Sequence, residues 1–168
     1  MSEFHFNVDQ QETLTYGSAT APHKLVAVLN LGCTASQKWW LANQAELLKA
    51  ADQGQLVLHL KFWNKKKTAL TNGNIAQEFI DYNDPETALR YVDAVFNNQA
   101  ILRSYDCEDV PAYLEKRFGV RPYAHAEQVK HRVAQQTFQN EIATVPTLIY
   151  DDQKFTGDQW ADREAVLN

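Results

Sequence analysis

The sequence predicts an α/β fold in which a mixed central sheet is divided along the chain by an all-helical insertion. Three observations carry this expectation. Residues 25–31 and 56–63 are apolar runs of strand length, rich in Val and Leu, as suits strands covered on both faces. The stretch between them reads as a helix, so strand, helix and strand form one parallel, right-handed crossover. Leu148-Ile149-Tyr150 and Lys154-Phe155-Thr156 flank residues 151–153 as a hairpin, which supplies the antiparallel half.

In chain order, Phe4, Phe6 and Val8 alternate with polar residues and read as a short edge strand. A polar stretch follows, and Tyr16-Gly17 opens a loop that ends at Pro22. The first core strand leads into a helix with Leu41, Ala45 and Leu48 on one face, running to about Asp52 and ended by Gly54. Beyond Asn64 the signals are helical. Asn74 reads as the cap of a helix carrying Ile75, Phe79 and Ile80. Asp84-Pro85 is a cap followed by proline at the first helical position, ahead of the stripe Tyr91, Val92, Val95 and Phe96. Asp109-Val110-Pro111 opens a short helix that Gly119 ends, and a longer one with Val129, Val133 and Phe138 follows Pro122. A last helix is expected from about Trp160 to Leu167. The expected division is residues 1–64 with 141–168 as the sheet-bearing domain, and 65–140 as the insertion.

Composition narrows the function. At 168 residues the chain has the size of one domain and can bury a core without staples. A formal charge of −5 argues against nucleic-acid or anionic-membrane partners, and Lys65-Lys66-Lys67 reads as a solvated loop. The 2 cysteines allow at most one disulfide, which excludes a disulfide scaffold. His125 and His131 do not share a helix face, so no metal site is expected. No apolar run reaches membrane-spanning length and the start does not read as a signal peptide, so the expected location is the cytoplasm.

Chemistry concentrates at Gly32-Cys33-Thr34-Ala35-Ser36, where the first core strand ends and its helix begins. The first turn of a helix offers unpaired N–H groups and the positive end of a dipole, both of which favour a thiolate over a thiol. The thiolate is the species that attacks disulfides. Ser36 can give the sulfur a hydroxyl hydrogen bond but cannot form a disulfide with it. Cys107 lies in Tyr105-Asp106-Cys107-Glu108-Asp109, among acids that disfavour a thiolate. Trp39 and Trp40 lie on adjacent sides of the helix, so at most one is expected in the core, leaving the other to line a groove.

Strand–Cys-x-x-Ser–helix early in the chain and Thr144-Val145-Pro146-Thr147-Leu148-Ile149-Tyr150 late in it resemble the two signatures of the thioredoxin fold. The DsbA-like branch is the better match. Residues 16–22 resemble its lead-in, the helical stretch of residues 65–140 its insertion, and residues 151–157 its final hairpin. The resemblance implies a thioredoxin-like fold and a cis peptide before Pro146, which leaves the Val145 backbone free to pair with a bound peptide. Cys33 and Ser36 are then the catalytic candidates, and Thr34, Trp39, Val145 and Pro146 the substrate-binding ones. The sequence departs from the family pattern at Ser36, where the second cysteine usually stands, and at Thr34-Ala35.

A lone thiol implies monothiol thiol–disulfide exchange. Cys33 attacks a disulfide, holds the partner as a mixed disulfide, and awaits an outside thiol. Expected partners are protein or peptide thiols and disulfides, or glutathione as a co-substrate; no bound cofactor is expected. Two alternatives remain open. One is a kappa-type glutathione transferase or isomerase using Ser36 or Thr34, and the other is a redox-inactive binding protein that keeps the fold.

Overall fold

The computed structural model describes residues 3–162. Five strands form one mixed sheet: β1 (Leu14–Tyr16), β2 (His23–Leu29), β3 (Leu56–Phe62), β4 (Thr147–Tyr150) and β5 (Gln153–Thr156), in the order β1-β3-β2-β4-β5. Only β2 and β3 run parallel, joined through α1 (Thr34–Asp52); the other pairs are antiparallel. Between β3 and β4 the regular elements are all helical: α2 (Thr71–Gln77), α3 (Pro85–Asn97), α4 (Gln99–Ser104), α5 (Val110–Phe118) and α6 (Ala126–Gln139), with two short 3-10 turns.

Side-chain alternation along the strands gives the sheet two different faces. Leu25, Ala27 and Leu29 of β2, with Leu56, Leu58, Leu60 and Phe62 of β3, join the main core with α1 and α3. Trp40 anchors that side: it is wholly buried, stacks on Phe96 with ring centroids 6.3 Å apart, and its indole N–H donates to Asp93 Oδ1 at 3.0 Å. Truncating such a residue costs ~3–5 kcal/mol. On the opposite face, Val26, Val28 and Ile149 form a smaller cluster with Ile142, covered partly by Phe4 and Phe6.

That second face also buries charge. Lys61 of β3 lies 3.7 Å from Glu12 Oε1, and Arg132 of α6 approaches Glu12 Oε2 at 3.6 Å. Gln136 donates to Glu12 Oε1 at 2.8 Å. The Lys61–Glu12 approach is too long for a hydrogen bond, and Lys61 Nζ and Glu12 Oε2 make none. Burial pulls the Lys61 amine down to about 8, against the opposing pull of Glu12 and Asp9.

Several local expectations give way to tertiary structure. Residues 4–8 form no strand: the N–H groups of Glu3 and Phe4 donate to the Asp152 carboxylate and that of His5 to Asn140 Oδ1, so side chains take the donors a strand partner would need. The edge strand is instead Leu14–Tyr16, only three residues long. Asn74 lies inside α2, while Phe79 and Ile80 follow the helix in a buried turn. Leu41 is 40 % exposed, because the larger Trp39, Trp40 and Leu47 set the inward face of α1. Trp39 and Trp40 are both buried, the first against Trp160 and the second against Phe96. Phe138 is 85 % exposed although it completes an apolar repeat, since α6 turns Val129, Val133 and Gln136 inward instead. The expected last helix is described only as a 3-10 turn at Trp160–Asp162; its remainder lies outside the described residues.

Candidate active site at the Cys33 loop

Strand β2 ends at Leu29 and α1 begins at Thr34, so residues 30–33 must turn the chain through the edge of the core. Cys33 is the N-cap of α1, with extended backbone at φ −86° and ψ 122°. Its Sγ accepts the Ser36 backbone N–H at 3.4 Å, taking the place that a serine or aspartate oxygen fills at other helix starts. On its other side the thiol donates to the Val145 carbonyl at 3.4 Å. The side chain is half-buried and unpaired with Cys107, so it forms no disulfide.

Every backbone polar group of residues 31–33 is paired, and side chains supply most of the partners. Leu31 N–H donates to Gln77 Oε1 at 2.9 Å, Gly32 N–H to Asn30 Oδ1 at 2.8 Å, and Cys33 N–H to the Asn30 carbonyl at 3.1 Å. Gln99 Nε2 donates to the carbonyls of Leu31 and Cys33, both at 2.9 Å, and Arg103 Nη1 to that of Gly32 at 2.6 Å. A second layer locks these partners: Asn30 Nδ2 reaches the Trp63 carbonyl and Asn74 Oδ1, and Gln77 Nε2 reaches Asn64 Oδ1. Buried backbone groups demand partners, and a loop with no ladder finds them in amides. Gly32 also meets Gly73 of α2 backbone to backbone; a Cβ on Gly73 would land on the Gly32 N and Cα atoms.

The opposite wall is the segment before β4. The Val145–Pro146 peptide is cis, and Pro146 is buried, with Gly157 beyond β5 close over its ring. A groove of about 710 Å³ runs beside this wall. On the helix side it is lined by Ala35, Lys38, Trp39, Ala42, Asn43 and Glu46, which share one face of α1. At 1.5 Å per residue that face extends ~16 Å from the thiol end, about five residues of extended peptide.

The residues singled out by sequence are therefore not equivalent. Cys33, Val145 and Pro146 come together. Thr34 and Ala35 are exposed at the start of the helix. Trp39 is 4 % exposed, so it stiffens the groove wall, set edge-on to Trp160, more than it offers surface. Ser36 is sealed, and its hydroxyl faces away from the sulfur's partner set: Oγ accepts the Asn30 N–H at 3.2 Å, while its backbone N–H serves Cys33. The expected hydroxyl contact to the sulfur is replaced by a backbone one. Cys107 sits exposed on a 3-10 turn before α5. Gln77, Gln99 and Arg103 went unread in the sequence; their only signal is polar side chains interrupting apolar helices.

No group of three or more metal-ligating side chains exists among the described residues. No helix among them is long and apolar enough to cross a membrane.

The protein-family profile described as "Thioredoxin" matches residues 9–167. A search of curated proteins finds no match. Among solved structures, a conserved protein of unknown function from Enterococcus faecalis is 27 % identical with a TM-score of 0.84, covering 90 % of this chain and 86 % of its own. A linker-deletion mutant of Proteus mirabilis ScsC is 13 % identical with a TM-score of 0.68, covering 92 % of this chain and 72 % of that one. Oxidised BdbD from Bacillus subtilis is 13 % identical with a TM-score of 0.60, covering 88 % and 85 %. The last two likenesses concern the fold. With a match that spans nearly its whole length and a helical insertion between β3 and β4, this chain belongs to the thioredoxin family and has its DsbA-like fold.

Proposed function

We propose that the chain is a thiol–disulfide oxidoreductase that works in monothiol mode through Cys33. The observation that carries this reading is the placement of one half-buried sulfur as the cap of α1, 3.4 Å from the Val145 carbonyl and beside Pro146. In the proposed reaction the Cys33 thiolate attacks one sulfur of a client disulfide. A new S–S bond to Cys33 forms, the client S–S bond breaks, and the departing thiolate takes a proton from solvent. A second thiolate, from glutathione or from the client itself, then attacks the mixed disulfide and returns Cys33 to its starting state. Ser36 cannot supply that second thiol.

The groove along α1 would take the client as an extended segment, its backbone pairing at Val145, whose N–H makes no hydrogen bond among the described residues. Glutathione enters as a co-substrate, not as a resident cofactor. A reducing compartment, the cytoplasm, fits a site that depends on an external thiol. The Ser36 hydroxyl is engaged by the Asn30 N–H, which counts against the transferase reading that would use it.

The test is glutathione-dependent reduction of a glutathionylated peptide by purified protein. Wild type and Cys107→Ser should turn over within twofold of each other, whereas Cys33→Ser should show no turnover above the uncatalysed rate. Undiminished turnover by Cys33→Ser would refute the proposal.

A further inference from the structure

A second cavity, of about 500 Å³, lies on the sheet face that holds Lys61, far along the strands from the Cys33 loop. Its size is within the range of small-molecule sites. Val8, Val57 and Pro85 give it apolar walls, and Thr15, Lys24 and His59 give it polar ones. Lys24 is the only charged residue lining it among the described residues.

His59 is the unusual member. It is 6 % exposed, and its Nδ1 lies 2.8 Å from the Thr15 hydroxyl. Its Nε2 makes no hydrogen bond among the described residues, yet it is not one of the sealed, unpartnered atoms. The ring itself lines the cavity. The Nδ1–Thr15 contact suits either neutral tautomer, and in the one where the hydroxyl donates, the ring presents Nε2–H as a donor. Lys24 and Lys61 both act on the ring electrostatically; with burial as the larger cause, they lower its titration to about 4. The carboxylates that flank Lys24 on its other side are already engaged: Asp151 accepts His23 Nδ1 and the Lys24 backbone N–H, and Asp152 accepts the N–H groups of Glu3 and Phe4.

We infer that this cavity is a binding site for a small carboxylate with an apolar body, its head group held by Lys24 and the His59 Nε2–H and its body against Val8, Val57 and Pro85. The polar end has the Lys24 ammonium and no resident carboxylate, so a negative ligand completes it and a cation does not. An apolar body fits against Val8, Val57 and Pro85, whose side chains offer no hydrogen bonds, while Gln10 and Thr13 at the border already donate to the Tyr82 and Asn7 carbonyls. This site is independent of the thiol reading: no residue lining one cavity lines the other.

The experiment is amide-resolved NMR titration of the ¹⁵N-labelled protein at pH 7 with octanoate, octanol and acetate. Octanoate should saturate, shifting amides of Thr15, Lys24 and Val57 and leaving those of Thr34 and Val145 in place. Octanol, lacking the charge, and acetate, lacking the body, should each bind at least tenfold more weakly. Lys24→Met, at an exposed position that leaves the backbone bond to Asp151 available, should weaken octanoate tenfold or more while octanol is unchanged. Saturation should also raise the His59 titration above its ligand-free value, an effect that a merely hydrophobic ligand would not produce. Equal affinity for octanoate and octanol, equal affinity for octanoate and acetate, or shifts centred on Val145 would each overturn the assignment.

Discussion

The Cys33 loop and the second sheet face handle buried polarity in opposite ways. Around residues 31–33 each backbone group has a partner, drawn from Asn30, Gln77, Gln99 and Arg103, none of which changes charge near neutral pH. On the other face the buried polar groups include the ionisable Glu12, Lys61 and His59, and Glu12 Oε2 and Lys61 Nζ lack hydrogen-bond partners. The contrast teaches that the reactive end is built to hold one geometry across conditions. The pH sensitivity of stability should reside on the far side of the sheet.

The largest effect should come from breaking the far face. Glu12→Gln removes the counter-charge from a fully buried Lys61, and an uncompensated buried charge costs ~3–5 kcal/mol. Urea unfolding should show that loss while the alkylation rate of Cys33 stays within twofold; a loss below ~1 kcal/mol would mean Lys61 already sheds its proton or reaches water. Next, Gly73→Ala forces a methyl into the backbone of Gly32, for which overpacking predicts ~1–3 kcal/mol. Here stability and mixed-disulfide turnover should fall together, since α2 supports the loop directly.

Gln99→Leu is a subtler break. It strands the Leu31 carbonyl and removes one of the two donors to that of Cys33, which keeps the Gln37 N–H, for ~1–3 kcal/mol, and should change Cys33 alkylation kinetics more than Glu12→Gln does. The reverse ranking would dissolve the contrast between the two regions. The last break is a pH profile, felt only below neutral pH. His59 titrates near 4 in the folded chain, below the ~6.5 of an unfolded histidine, so the unfolded state binds more protons between those values. Stability therefore rises with pH through that window and is lost as pH falls from about 6.5 to about 4, by up to ~3 kcal/mol. Removing the titratable ring with His59→Gln should flatten that part of the profile without touching the Cys33 side.

How much of this was readable from sequence follows the range of each interaction. The crossover β2–α1–β3, the Asp84 cap accepting Thr87 N–H at 3.2 Å, and the left-handed Gly119 ending α5 are local devices, and local pattern predicts them. The placement of Cys33 as a cap is equally local. The loop's supports are not: Gln77, Gln99 and Arg103 stand 46 to 71 positions from the groups they bind and look like ordinary surface amides and a surface arginine. Phe4 and Phe6 are genuinely half-buried, so their alternation reports packing correctly, but it says nothing of the side-chain acceptors that replace strand pairing. Leu14–Tyr16 is too short to make a periodic signal at all. The motif singles out Ser36, yet the direction of its hydroxyl depends on an Asn30 N–H freed where β2 stops, which pattern alone does not contain.

The meeting of Gly32 with Gly73 has one more consequence. Two main chains that touch leave no gap between them, so α2 closes the seam behind Gly32. The open groove lies on the Pro146 side, so a bulky tag at Thr156, on its rim, should hinder a client where the same tag on α4 would not.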